Sequence, residues 1–307
     1  MEPIIQPVNK EILIAELTPD KFVRHTNYGG NSIYIVNHAN APNVMREIGR
    51  LREAAFREAG GGTGHEIDID EYDTAEVPYE QLIVWDEKVS EILGGYRFID
   101  CSLPIVDKSG NVNLATTGMF SFSEKFIKEY LPYTIELGRS FVQPKFQAGT
   151  NSKQAVFALD NLWDGLGALY QRNHHIKYFF GKVTMYTHFN KEARDLILFF
   201  LNKYFNDPDN LVRPDDPIVY ETPLEILEAV FTNNDYKSDY RKLSQRVREL
   251  GENIPPLINS YMNLSETMKV FGTGINHHFG GVEETGILIN IADIYPAKKE
   301  RHMENIS

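Results

Sequence analysis

Charged side chains set inside otherwise apolar stretches are where this chain could do chemistry. Arg97 lies in Gly94-Gly95-Tyr96-Arg97-Phe98-Ile99, and Glu136 and Arg139 lie in Ile135-Glu136-Leu137-Gly138-Arg139-Ser140-Phe141. Asp70 and Asp73 bracket Tyr72, and Arg52 stands four residues before Phe56. An isolated charge near a core shifts its pKa or unfolds the site, so these groups must be paired. Three arginines and at least three carboxylates can balance one another in a single network. That network fits two roles. It can fix the fold as a set of structural ion pairs, or it can line a cleft for a polar substrate, and spacing alone does not separate the two.

The elements that must position these residues are legible from periodicity. Ser32–Asn37 reads as a strand after the turn Tyr28-Gly29-Gly30-Asn31. Val44 to Ala59 repeats apolar residues at helical spacing and stops at the glycines of Gly60–Gly64, which read as a mobile loop. Glu80–Asp86 and Glu91–Cys101 are strands joined by a short polar turn, hence an antiparallel hairpin. Tyr133–Val142 is a strand, Ala155–Gln171 a helix, Tyr178–Tyr186 a strand and Lys191–Phe205 an apolar helix. Residues 206–230 read as a surface excursion, followed by helices near Tyr236–Leu250 and after Pro255-Pro256. Strands at Met268–Ile275 and Gly286–Ile291 close the chain, and residues 297–307 read as a frayed polar tail. The order predicts one mixed α/β domain over residues 32–296, with residues 1–31 as an extension and 206–265 as a helical insertion.

Composition narrows the partners. The 307 residues carry 43 acids against 31 bases, net −12, which disfavours an electrostatic nucleic-acid binder. The single cysteine, Cys101, excludes an intrachain disulfide framework and fits a reducing, cytoplasmic setting. The longest purely apolar run, Leu196–Leu201, is far short of the ~20 residues of a membrane helix, although a peripheral bilayer contact fits the composition. No metal is expected. The pairs His174-His175 and His277-His278 lack the spacing of a helical zinc site, and Glu66–Asp73 lacks the glycine and glutamate offsets of a calcium loop.

Read together, Arg52-x-x-x-Phe56, Asp68-x-Asp70-x-x-Asp73, Gly94-Gly95-Tyr96-Arg97 and Glu136-Leu137-Gly138-Arg139 form an ordered series. It resembles the hemolysin-like acyltransferases of the GNAT superfamily, which include ornithine and glycine lipid N-acyltransferases. It is more distantly similar to the acyl-homoserine-lactone synthases. Those synthases carry a Trp shortly after the R-x-x-x-F element, where this chain has Gly60-Gly61-Gly62. The resemblance covers roughly residues 33–295. It implies a mixed central sheet whose middle strands, here Tyr133–Val142 and Tyr178–Tyr186, splay apart and are flanked by helices. The implied reaction moves a fatty acyl group, often 3-hydroxylated, from acyl carrier protein or acyl-CoA to the α-amine of glycine or ornithine, with no permanently bound cofactor. The rival readings are a synthase of acylated signals resembling the acyl-homoserine-lactone synthases and a non-catalytic lipid- or carrier-binding protein of the same fold.

On that resemblance the attacking amine must lose a proton, and Glu136 is the first choice of base, with Asp70 and Glu66 in reserve. Arg52, Asp73, Arg97 and Arg139 are the expected substrate-binding charges. Backbone around Phe141, Val142 and Gln143 would supply an oxyanion donor, and Tyr186 would protonate the leaving thiolate. Gly149, Thr150, Asn151 and Ser152 stand where superfamily members place the pyrophosphate loop, but they depart from its Q/R-x-x-G-x-G/A pattern. A carrier-protein donor needs less of that loop, and Lys145, Lys153 and Arg172 would form its basic docking surface.

Overall fold

The Asn9 side chain caps α1 (Lys10–Glu16), which leads to β1 (Phe22–His25) and β2 (Ser32–Val36). Pro42, at home in a first helical turn, opens α2 (Pro42–Glu58), and the single turn α3 (Glu71–Thr74) precedes the hairpin β3 (Glu80–Asp86) and β4 (Glu91–Asp100). The chain continues through β5 (Phe120–Phe122), β6 (Thr134–Val142), α4 (Ala155–Arg172), β7 (Tyr178–Met185) and α5 (Lys191–Phe205). It ends with β8 (Val212–Pro214), α6 (Leu224–Val230), α7 (Tyr236–Glu249), α8 (Pro256–Met262), β9 (Lys269–Asn276), β10 (Val282–Asn290) and α9 (Pro296–Lys299). This computed structural model describes residues 1–107, 109–147 and 155–304.

The elements gather into two compact units, both mixed α/β. The first comprises Met1–Ala115, Pro132–Ile176 and Tyr295–Ser307. Its strands run β1-β2-β3-β4-β6, each antiparallel to its neighbour. Alternation along the strands assigns the two faces. Leu82 and Tyr96 point to α4, where Gly165 leaves them room, while Gln81 and Arg97 point to the side occupied by α2. Gly95 answers to a close approach between strands, because a Cβ there would stand 2.6 Å from the Leu82 carbonyl oxygen.

The second unit comprises Thr116–Leu131 and Lys177–Ile294. An antiparallel sheet β7-β10-β9 forms its frame, with β5 and β8 as a separate ribbon. Leu196, Ile197, Phe200 and Leu201 of α5 are buried in its core.

Three expectations change. The stretch before residue 32 supplies α1 and the strand β1. Residues 206–230 are no simple surface excursion: Leu211, Val212 and Leu227 are buried, and Asp195 accepts the backbone N–H groups of Glu221 and Thr222 at 2.8 and 2.7 Å. Residues 297–304 are helical rather than frayed, with His302 and Met303 buried. His302 Nδ1 lies 2.8 Å from Asp164 Oδ1, and the His302 carbonyl sits so close to Gly167 that a Cβ there would be 1.9 Å away.

Candidate active site

The capping of one short helical turn places two of the carboxylates. Asp70, as N-cap of α3, accepts the N–H groups of Tyr72 and Asp73, and the Asp73 side chain accepts the N–H of Asp70 in return. Across the sheet, Gln81, Arg97 and Gly138 stand opposite one another on β3, β4 and β6. Between Gly95–Phe141 and Arg97–Gly138 the register slips, so Arg139 and Ser140 oppose the single residue Tyr96. This is a β-bulge, which bends a strand and re-aims its side chains. Arg139 takes φ of +50° there, a conformation that L residues other than glycine adopt at a cost.

These devices bring the dispersed charges into one cluster. Arg52 Nε is 3.0 Å from Asp68 Oδ2, and its Nη2 is 3.2 Å from Asp73 Oδ2. Arg97 Nη1 donates to both Asp70 oxygens at 2.7 and 2.8 Å and lies 3.3 Å from Asp73 Oδ1, which also accepts from Gln81 Nε2 at 2.9 Å. Arg139 lies 3.0 Å from Asp68 and 3.6 Å from Asp70. Arg52, Asp68 and Asp73 are sealed from solvent, whereas the side chains of Arg139 and Asp70 are 15% and 21% exposed. Three guanidiniums thus face three aspartates. Burial alone would raise the Asp68 and Asp73 carboxyls, yet the adjacent guanidiniums outweigh it and hold both below the usual carboxylate range. For Arg139 burial wins over Asp68 and lowers the guanidinium from its usual value.

Glu136 is buried on β6 opposite Ile99, and the Tyr79 hydroxyl donates to its Oε2 while accepting the Ala115 N–H at 2.9 Å. Burial, reinforced by the Glu136 charge, pushes the Tyr79 hydroxyl and the Cys101 thiol well above their ordinary values. Cys101 is therefore an inert buried thiol. Arg97 lies 5.0 Å from the Tyr79 ring centroid, which ties the Glu136–Tyr79 pair to the charge cluster.

The other expected residues fall in different places. Glu66 is exposed, and its backbone rather than its carboxylate is engaged: the N–H donates to Glu2 and the carbonyl accepts from Ile5. Phe141 is buried beside Gly95 and Val142 pairs with Gly94. The Gln143 backbone N–H, the expected oxyanion donor, is already given to Leu93 O at 2.8 Å, and its side-chain amide donates to Ile92 O at 2.7 Å. Gly149, Thr150, Asn151, Ser152 and Lys153 lie outside the described residues. Tyr186 belongs to the second unit, where its ring stacks on His188 and burial next to Glu284 raises its hydroxyl.

Lys145 and Arg172 do not form one patch. Lys145 pairs with Glu91 at the start of β4, whereas Arg172 acts on Glu80, which opposes Phe98 near the other end. Seven residues of strand put these ends about 23 Å apart. The glycine run after α2 is held rather than loose: the buried Glu53 carboxylate accepts the Thr63 and Gly64 N–H groups at 3.0 and 2.8 Å. Asp68, Glu53, Tyr79 and Gln81 were not singled out as site residues from the sequence; Asp68 alone carried a signal, as the first acid of the Asp68-x-Asp70 spacing. Among the described residues no group of three or more His, Cys, Asp or Glu is arranged to hold a metal ion.

An acetyltransferase (GNAT) domain model matches residues 51–156, which contain Arg52, the three aspartates, Arg97, Glu136 and Arg139. A glycine N(alpha)-acyltransferase of Bacteroides thetaiotaomicron is 57% identical over 304 residues, covering 99% of this chain and 90% of that protein. One of Phocaeicola vulgatus is 55% identical over 305 residues, covering 99% and 94%. The chain belongs to this acyltransferase family. Among solved structures it is similar to FeeM, an N-acyl amino acid synthase from uncultured soil microbes, with TM-score 0.42 and 9% identity over 89% of this chain and 94% of that one. The AHL synthase LasI matches with TM-score 0.34 and 17% identity over 50% and 74%. No helix among the described residues of this family member is long and apolar enough to cross a membrane.

Proposed function

We propose that this acyltransferase acylates the α-amine of glycine, using a fatty acyl thioester and releasing the free thiol. Near full-length identity to two proteins named glycine N(alpha)-acyltransferase carries the choice of acceptor. Glu136 serves as the base. Asp68 and Asp73, pinned by guanidiniums, accept protons poorly, whereas Glu136 accepts from the neutral phenol of Tyr79, which helps hold the carboxylate in one orientation. Arg52, Asp73 and Arg97 brace the site, and the partly exposed Arg139 and Asp70 meet the substrate.

The donor we propose is acyl carrier protein. Residues 147–154 depart from the loop pattern that grips the pyrophosphate of CoA, and the pantetheine arm of a carrier carries a single phosphate. A peripheral bilayer contact would use the exposed Val219, Leu224 and Ile226 of the second unit. Purified protein incubated with glycine and either acyl carrier protein or acyl-CoA tests the donor; lipid mass spectrometry of an expressing host that lacks aminolipids tests the reaction. New N-acyl glycine, lost in Glu136→Gln, is the expected result. Folded protein that yields no acylated amino acid refutes the proposal.

A further inference from the structure

Glycine is the α-amino acid without a side chain, and the scheme above names nothing that rejects the others. We infer that the ring of Tyr72 is the selecting group: it fills the room that a side chain on the acceptor's α-carbon would need. The inference rests on amino-acid N-acylation being the reaction, and every residue it uses lies in the first unit.

Solvent reaches the charge cluster at Arg139 and Asp70, whose side chains are 15% and 21% exposed and lie 3.6 Å apart. This pair offers one charge of each sign, which suits the carboxylate and the ammonium of an amino acid. The base lies deeper. Glu136 and the Tyr79 that donates to it are 1% and 2% exposed. Tyr72 stands between these two levels. Its N–H donates to Asp70 Oδ1 at 3.1 Å, which ties its backbone to the outer pair. Its half-buried ring meets the buried Tyr79 ring edge-on, with centroids 5.9 Å apart. The Arg97 guanidinium lies 5.7 Å from the Tyr72 centroid and 5.0 Å from that of Tyr79, and it donates to Asp70 as well. The Tyr72 ring is thus held by an aromatic edge and a cation, and moving it aside forfeits both contacts. An acceptor with a bare α-carbon passes such a fixed ring, whereas each added carbon must displace it.

Glycine, L-alanine and L-2-aminobutyrate lengthen the acceptor one carbon at a time and provide the test. In unaltered protein kcat/KM should fall about 10- to 200-fold from glycine to L-alanine, the range for one carbon in a fitted pocket, and again to L-2-aminobutyrate. Equal use of glycine and L-alanine overturns the inference. Tyr72→Ala should shrink the glycine-to-alanine ratio about tenfold or more, while KM for the acyl thioester moves less than about threefold. Tyr72→Phe keeps the ring and should hold the ratio within about threefold of the unaltered value. An unmoved ratio in Tyr72→Ala, with all acceptors losing rate equally, marks a merely structural ring and overturns the inference. Tyr72→Leu covers the case in which Tyr72→Ala folds poorly; it should relax the ratio by about threefold or more, and an unmoved ratio again overturns the inference. Unaltered protein that acylates no amino acid refutes the acylation reading, whereas glycine acylation with an unmoved ratio refutes the role of Tyr72 alone.

Discussion

Replacing Arg52 by Met removes a guanidinium that is sealed from solvent and held 3.0 Å from Asp68 and 3.2 Å from Asp73. Asp68, Asp70 and Asp73 then face two guanidiniums, Arg97 and Arg139, and one buried negative charge is left over. Each lost pair is worth about 5 kcal/mol at 3 Å in an effective dielectric of ~20, and the relief of not burying Arg52 offsets part of the total. Breaking a buried pair on one side costs about 3–5 kcal/mol, which sets the expected destabilisation. The fluorescence of Trp85 on β3 and Trp163 on α4 reads it cleanly, since both tryptophans of the chain lie in the first unit. Urea titration followed at those rings should show the loss as a lower midpoint.

The pH dependence is diagnostic. In Arg52→Met the uncompensated carboxylate has a native pKa above its unfolded value of about 4, so its stabilising contribution is present at low pH and lost as pH rises through the native value. The deficit against unaltered protein should therefore narrow from pH 7 to pH 5, by at most about 1.4 kcal/mol per pH unit. In the unaltered chain Asp68 and Asp73 are lowered, so their contribution is full above pH ~4 and fades only as pH falls through the native values. Adding Asp68→Asn to Arg52→Met restores the balance of charge and should return at least half of the loss. A destabilisation under about 1 kcal/mol, or one indifferent to pH, would refute the account of a balanced cluster.

Glu136→Gln should lower kcat by about 10²- to 10⁴-fold with little loss of fold, because Tyr79 can still donate to the amide oxygen; unchanged kcat would remove Glu136 as base. Tyr79→Phe should cost about 1–3 kcal/mol in the same urea titration, since the Ala115 N–H loses its acceptor. Glu53→Gln should quicken amide exchange at Thr63 and Gly64, and unchanged protection would show that the glycine run is held by other contacts. Gly167→Ala should displace the C-terminal helical segment and speed tryptic cleavage at Lys298, Lys299 and Arg301, because the new methyl would occupy the site of the His302 carbonyl.

Much of this architecture is legible in the sequence because periodicity is local. The helix at Lys191–Phe205 and the hairpin strands follow from apolar spacing that neighbouring residues set among themselves. The charged series was legible too, and Arg52, Asp70, Asp73, Arg97 and Arg139 do converge. Tyr79 and Gln81 escaped because an ordinary aromatic or amide beside a strand carries no sign of the partner that the register brings to it. Glu53 carries no sign of its role in the sequence, because the glycine loop whose N–H groups it accepts is brought to it only by the fold. The C-terminal residues read as frayed because their composition is polar, yet one buried imidazole on Asp164 decides their place. Lys145 and Arg172 looked adjacent because sequence distance says nothing of the direction in which a helix of 18 residues runs.

The left-handed backbone at Arg139 sets two selections against each other. Glycine or asparagine would relax the bulge by about 1–2 kcal/mol, so a library screened for heat tolerance should drift toward them at this position. Either change discards the guanidinium that faces Asp68 and Asp70. A library screened for turnover should hold arginine and accept the strained turn, and the residue recovered at position 139 would reveal which pressure had acted.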